Sequence, residues 1–247
     1  MEWNVWFFAV ASLAAFVVGA SKGGLPMAGV LSVPILALVM PPVAAAALLL
    51  PVYIVSDVVG LWAYRKRYDR RNIIILLPPM VFGVGIGWAT ASITAEWVVT
   101  LLVGLIGLSY CINAAIRRAD TSPRPADVPR GLFWGSIAGF TSFVSHTGGP
   151  PYQMYVLPQR LEKMVFAGTG TIIFAIINAV KLVPYWALGQ FHPDNLEIAA
   201  MLSPVAIAGA LIGYKVTELI PQKLFFHLVE AALALISVKL IFDALFK

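Results

Sequence analysis

Apolar residues fall in long runs along this chain, separated by short polar stretches. The runs cover roughly residues 3–20, 27–40, 43–64, 73–92, 97–116, 131–145, 152–157, 165–188, 196–214 and 224–246. Several approach the ~20 residues that an α-helix needs to cross a bilayer. The shorter ones predict helices that are interrupted within the membrane. Two interruptions stand out, Ser21-Lys22-Gly23-Gly24-Leu25-Pro26 and Ser145-His146-Thr147-Gly148-Gly149-Pro150-Pro151. Glycine costs backbone entropy in a helix and proline lacks an N–H, so both stretches break a helix. In lipid, the backbone groups so freed need protein or a water-filled cavity to satisfy them.

The second break repeats the first about 125 residues on, a spacing that reads as an internal duplication. Gly23-Gly24 corresponds to Gly148-Gly149, and Pro26 to Pro151. Pro78, Gly83 and Gly87 recur in the same order as Pro204, Gly209 and Gly213, and Tyr64 corresponds loosely to Tyr185. The chain therefore divides into a first membrane repeat (1–118), a polar inter-repeat loop (119–130) and a second membrane repeat (131–247), all one integral membrane domain. Gly131, Gly135 and Gly139, like Gly83/Gly87 and Gly209/Gly213, form small-residue stripes that predict close helix packing in lipid.

Composition agrees. Of 247 residues, 60% are hydrophobic and 12% charged, against about 45–50% and 25% in soluble domains. Mean hydropathy is +0.87. The lone cysteine, Cys111, excludes an internal disulfide and a multi-cysteine metal site. Only Met1 and Glu2 precede the first apolar run, so it lacks the basic flank of a cleavable signal.

The net charge of +5 reports topology and not a nucleic-acid partner. Of 17 Lys and Arg, five lie in 65–71, four in 117–130, two in 160–163 and two in 215–223. Excess positive charge marks cytoplasmic loops. The loops near Ala95 and 190–195 carry none and are expected outside. Following the chain, each repeat becomes a broken helical hairpin plus three crossings. Three is odd, so the two repeats are expected to be inverted, with both termini on the outer side. That arrangement is common among secondary transporters, which hold substrate near the midplane at broken helices. Trp3, Trp6, Trp62, Trp88, Trp97, Trp134 and Trp186 lie near run ends, as an interfacial belt requires.

Candidate chemistry concentrates at the breaks. A restarting helix turns unsatisfied N–H groups and a partial positive charge toward an anion. Ser21, Lys22, Gly23, Gly24, Ser145, His146, Thr147, Gly148 and Gly149 are the expected substrate-binding residues. Lys22 either binds substrate or extends to the membrane surface. His146 donates to an anion, takes up a proton, or is structural. Asp57 and Lys181 each lie about eight residues from a helix end, about 12 Å deep. They are read as a buried ion pair, or as proton carrier and substrate ligand. Asn178 lies one turn before Lys181 and faces the same way. Glu230 and Lys239 carry no assigned role, and His192, Asp194 and Glu197 read as a solvated outer loop. No phosphate loop, His-Glu-x-x-His or Gly-x-Ser-x-Gly is present. No cofactor and no enzyme activity are expected.

Taken in order, these motifs resemble the TauE/SafE family of sulfite-exporting membrane permeases, over almost the whole chain. The resemblance rests on Gly23-Gly24 with Val33-Pro34-Ile35-Leu36, and on the basic link from Tyr64-Arg65-Lys66-Arg67 to Arg71-Asn72. It continues through Pro78 to Gly87, then Gly135 to Gly139, Thr147-Gly148-Gly149-Pro150-Pro151 and Val156-Leu157-Pro158. Where family members often carry three glycines in a break, Lys22 and Thr147 stand in place of the first. The resemblance implies export of a small sulfur-containing anion, such as sulfite or an organosulfonate, across the bacterial inner membrane. The rival readings are an anion channel, a non-transporting subunit that anchors a partner, and a membrane enzyme. The oligomeric state stays open, a homo-oligomer included.

Overall fold

A computed structural model describes residues 5–26, 28–93, 95–116, 123–191 and 193–246. Trp3 and His192 lie outside them. Among the described residues there are ten α-helices: α1 (Val5–Lys22), α2 (Ala28–Leu36), α3 (Pro42–Tyr64), α4 (Arg70–Ala89), α5 (Glu96–Ile116), α6 (Val128–Ser145), α7 (Gly149–Val156), α8 (Lys163–Ala187), α9 (Pro193–Leu219) and α10 (Gln222–Phe246). A single 3-10 turn, Leu157–Gln159, follows α7.

Among the described residues, six helices are long and apolar enough to cross a membrane: α1, α3, α4, α8, α9 and α10. α5 follows as a shorter apolar stretch over Trp97–Ile112. The two short helices, α2 and α7, come directly after the breaks, so each break joins a long helix to a stub of nine or eight residues.

The chain forms two compact units. The first comprises Met1–Tyr68 with Ala167–Ile220, the second Asp69–Phe166 with Pro221–Lys247. Neither unit coincides with one half of the sequence. The first takes α1, α2 and α3 from one half and most of α8 with α9 from the other.

In the first unit, α1 packs on α9, α2 and α3, and α3 packs on α9. One stripe of α1, Phe7, Ala11, Ala14, Ala15 and Val18, enters a core with Leu48, Leu49 and Val52 of α3 and Leu202 and Ala206 of α9. The stripe recurs every three or four residues, as one helical face does. Small residues let the backbones meet. A Cβ on Gly19 would lie 1.9 Å from the Ala206 carbonyl oxygen, and one on Gly209 would lie 2.4 Å from that of Phe16.

In the second unit, α4 packs on α6 and α10 on α5. A Cβ on Gly139 would lie 1.9 Å from the Met80 carbonyl oxygen, and one on Gly83 would lie 2.1 Å from that of Ser136. The small-residue stripes therefore serve close packing. Aspartates start both helices: the Asn72 N–H donates to Asp69 Oδ1 at 2.7 Å, and the Arg130 N–H to Asp127 Oδ1 at 2.9 Å. Asn72 and Gln159 also exchange two buried amide hydrogen bonds, of 2.8 and 3.0 Å, tying α4 to the turn after α7.

Candidate functional site

Lys22 and Ser21 do not lie in the turn itself. They complete the last turn of α1, which ends at the paired glycines Gly23-Gly24. Gly24 then takes φ +113°, a conformation L-residues rarely adopt. Lys22 thus sits at the carbonyl end of α1, where a cation suits the helix dipole. The sequence predicts Lys22 within the break itself, and the structure places it in the last turn of α1.

Lys22 does not reach a membrane surface. Its residue is 4% exposed, Asp57 3% and Lys181 0%. Lys22 Nζ meets Asp57 Oδ1 at 2.7 Å. Asn178 Nδ2 donates to Asp57 Oδ2 at 2.8 Å. Oδ1 takes no further hydrogen-bond donor among the described residues, so Lys22 is its compensation. The sequence reading suggested a pair between Asp57 and Lys181; the close contact is with Lys22. Lys181 lies within electrostatic reach of both. Asn178 and Lys181, three residues apart on α8, face one cluster as expected.

Other groups fix this cluster in place. The Lys22 ammonium lies 5.0 Å from the centre of the Tyr53 ring, near enough for a cation–π contact. Tyr53 donates to the Gly29 carbonyl at 2.9 Å and shares a 2.8 Å hydrogen bond with Ser32, which anchors α2 to α3. Thr171 Oγ1 donates to the Lys22 carbonyl at 3.2 Å, and Tyr64 Oη to the Gly23 carbonyl at 2.8 Å. Ser21 turns back and donates to the Val18 carbonyl, so its hydroxyl hydrogen serves its own helix.

The second break is built differently. α6 ends at Ser145, and His146 caps it in the left-handed region at φ 54°. His146 is buried, as are Thr141, Ser142, Ser145 and Thr147. Ser145 and Thr147 share a 2.7 Å hydroxyl–hydroxyl hydrogen bond. The Thr147 N–H donates to the Thr141 carbonyl at 3.2 Å, closing the end of α6. α7 then opens with Gly149, Pro150 and Pro151, and no side chain caps it. Proline has no N–H, so two of the first three donors expected from a helix start are missing. Polar donation at this break falls chiefly to hydroxyls and the imidazole.

The structure gathers Lys22, Asp57, Asn178 and Lys181 in the first unit. Ser145, His146, Thr147, Gly148 and Gly149 belong to the second. Tyr53, Tyr64 and Thr171 were not anticipated, since a lone hydroxyl in an apolar run carries no signal of its own. Lys239 of α10 forms an ion pair with Asp243 one turn on. Among the described residues, no group of three or more His, Cys, Asp or Glu is placed to hold a metal ion.

A family model described as sulfite exporter TauE/SafE matches residues 8–240. No curated protein and no solved structure matches the chain.

Proposed function

Because the chain belongs to the sulfite exporter TauE/SafE family, a family of membrane transporters and not of enzymes, we propose that it is a secondary permease for a small sulfur-containing anion. Sulfite and organosulfonates are the substrate class. The direction is export across the bacterial inner membrane, and the mechanism alternating access.

The observation that carries the reading is the buried cluster at the first break. Two lysines and one carboxylate lie together inside an apolar unit. A lone charge inside a membrane costs about 2.5–3.5 kcal/mol on insertion scales. A small anion is attracted to the two lysine side chains that share this one carboxylate. We assign Lys22, Lys181 and Asn178 to anion contact, with Gly23 and Gly24 allowing close approach. Ser145, His146, Thr147, Gly148 and Gly149 are assigned as uncharged contacts on the anion's path.

The reading includes two inverted repeats with both termini outside and the basic loops in the cytoplasm. It is supported by helix partnership. In the register of the duplication, α6 corresponds to α1 and α9 to α4. α1 packs on α9 within one unit, and α6 on α4 within the other. Single-cysteine labelling of the loops from each side of the membrane tests the orientation.

The deciding experiment follows thermal stability of the purified chain in detergent with sulfite, thiosulfate, sulfoacetate, sulfate and simple carboxylates. A ligand at 100 times its Kd adds about 2.7 kcal/mol of apparent stability. A selective rise with a sulfur oxyanion, lost in a folded Lys22→Met variant, supports the assignment. No rise with any anion overturns it.

A further inference from the structure

We infer that Asp57 is an internal stand-in for the transported anion: the substrate displaces its carboxylate from Lys22, and Asp57 takes up one proton as it is released. The inference rests on the anion-permease reading and deepens it at the same site.

The geometry makes the two carboxylate oxygens unequal. Oδ2 accepts from Asn178 Nδ2 at 2.8 Å, while among the described residues Oδ1 has only the Lys22 ammonium, at 2.7 Å. A substrate oxyanion that binds Lys22 takes the same donor. Oδ1 is then a buried anionic oxygen beside a second anion. Two like charges about 4 Å apart repel by roughly 4 kcal/mol at an effective dielectric of 20. Protonating one of the two anions removes that repulsion. A sulfonate or hydrogensulfite monoanion is a weaker base than a carboxylate, so with such a substrate the carboxylate takes the proton, at Oδ1.

With both lysines present as ammonium groups, the described residues around Asp57 offer no better proton acceptor. From α1 comes Lys22; from α8, Lys181 and the neutral amide of Asn178. From α3 comes the Tyr53 phenol, already committed to Ser32 and the Gly29 carbonyl. α2 carries no titratable residue. Those of α9 are Asp194, Glu197, Tyr214, Lys215 and Glu218, all near its two ends, and Lys215 pairs with Glu218.

The exchange balances. One proton comes from water on the loading side, converts the carboxylate to a carboxylic acid, and leaves on the releasing side as Lys22 pairs with Asp57 again. A monoanion then crosses with one proton and moves no net charge; a dianion moves one negative charge. The empty protein returns with Lys22 and Asp57 paired, so it carries no uncompensated carboxylate across the apolar interior.

The test uses the full chain in detergent, with sulfoacetate and methanesulfonate as probes because neither titrates near neutrality. Calorimetry in buffers of different ionisation enthalpy counts protons taken up per anion bound. The expected result is one proton for wild type, with affinity falling about tenfold per pH unit where Asp57 is otherwise ionised. The infrared difference spectrum should gain the carbonyl band of a protonated carboxyl group on binding. In Asp57→Asn, the amide cannot titrate, so binding should persist with no proton uptake and no pH dependence. Wild-type binding without proton uptake overturns this inference and leaves the permease reading standing. So does proton uptake that survives in Asp57→Asn. Failure of wild type to bind either probe or any other sulfur anion overturns both. The wild-type measurements decide the matter even if the variant does not fold.

Discussion

The two helix breaks share a Gly-Gly core and a following proline, yet they solve the problem of an interrupted helix by opposite means. The first is charged. It ends α1 with Lys22 and compensates that cation with a carboxylate from α3. The second holds hydroxyls and an imidazole, and closes on itself through Thr141, Ser145 and Thr147. The first break is thus tied to α3 by an ion pair, while hydroxyl contacts between Ser145 and Thr147 and the Thr141 carbonyl close the end of α6 at the second. A duplicated segment can thus keep its backbone geometry while its copies divide chemical labour, one supplying charge and the other neutral polar contacts.

The sharpest way to break this comparison is to remove the charge. Lys22→Met should leave Asp57 buried without its ion partner and cost about 3–5 kcal/mol. Adding Asp57→Leu should recover most of that loss in chemical or thermal unfolding while transport stays absent. Recovery of transport in the double variant would refute the role of the charged break. Next comes Gly24→Ala. A Cβ there would lie 2.2 Å from Tyr64 Oη, at a φ that alanine avoids. The expected loss is about 1–3 kcal/mol, read as a lower unfolding midpoint.

At the second break the effects should be smaller. Ser145→Ala removes one partner of a neutral hydroxyl pair and should cost about 1 kcal/mol. It should slow anion flux into vesicles while leaving the protein folded. His146→Gly relieves a left-handed residue and should gain up to about 1 kcal/mol. A gain in stability accompanied by slower transport would show that the strained histidine is kept for function. A loss of stability would instead mark its side-chain interactions as structural.

Much of this was legible in the sequence, for physical reasons that particular residues show. Gly23-Gly24 and Gly148-Gly149-Pro150 each cluster residues that disfavour a helix interior, so the breaks were visible. Asp57, Asn178 and Lys181 stand out because polar groups are costly inside apolar runs. Their partnership was not legible: Lys22 and Asp57 belong to different helices, and only packing brings them to 2.7 Å. Tyr64 stands out in the sequence only as the loose counterpart of Tyr185, and nothing there shows that its hydroxyl donates to the Gly23 carbonyl. α1 runs two residues beyond the apolar run, because Ser21 and Lys22 tolerate helix and the Gly23-Gly24 pair, with Gly24 at positive φ, ends it. Pro150 and Pro151 were read as breakers alone, although their missing N–H groups also strip donors from the start of α7. The compact units could not be read from the duplication, because they follow contacts between halves and not chain order.

The glycine contacts have a mechanical consequence. Where Gly19 lies on Ala206 and Gly139 on Met80, backbone touches backbone with no flexible side chain between. Such a seam has no cushion. Sliding one helix along the other by a single residue would drive a side chain into a carbonyl, and close-packed interiors yield little to such strain. α1 with α9, and α4 with α6, are therefore built as stiff two-helix levers. Any working stroke must tilt or carry each pair whole, and the compliant joints must lie at the ends of the levers.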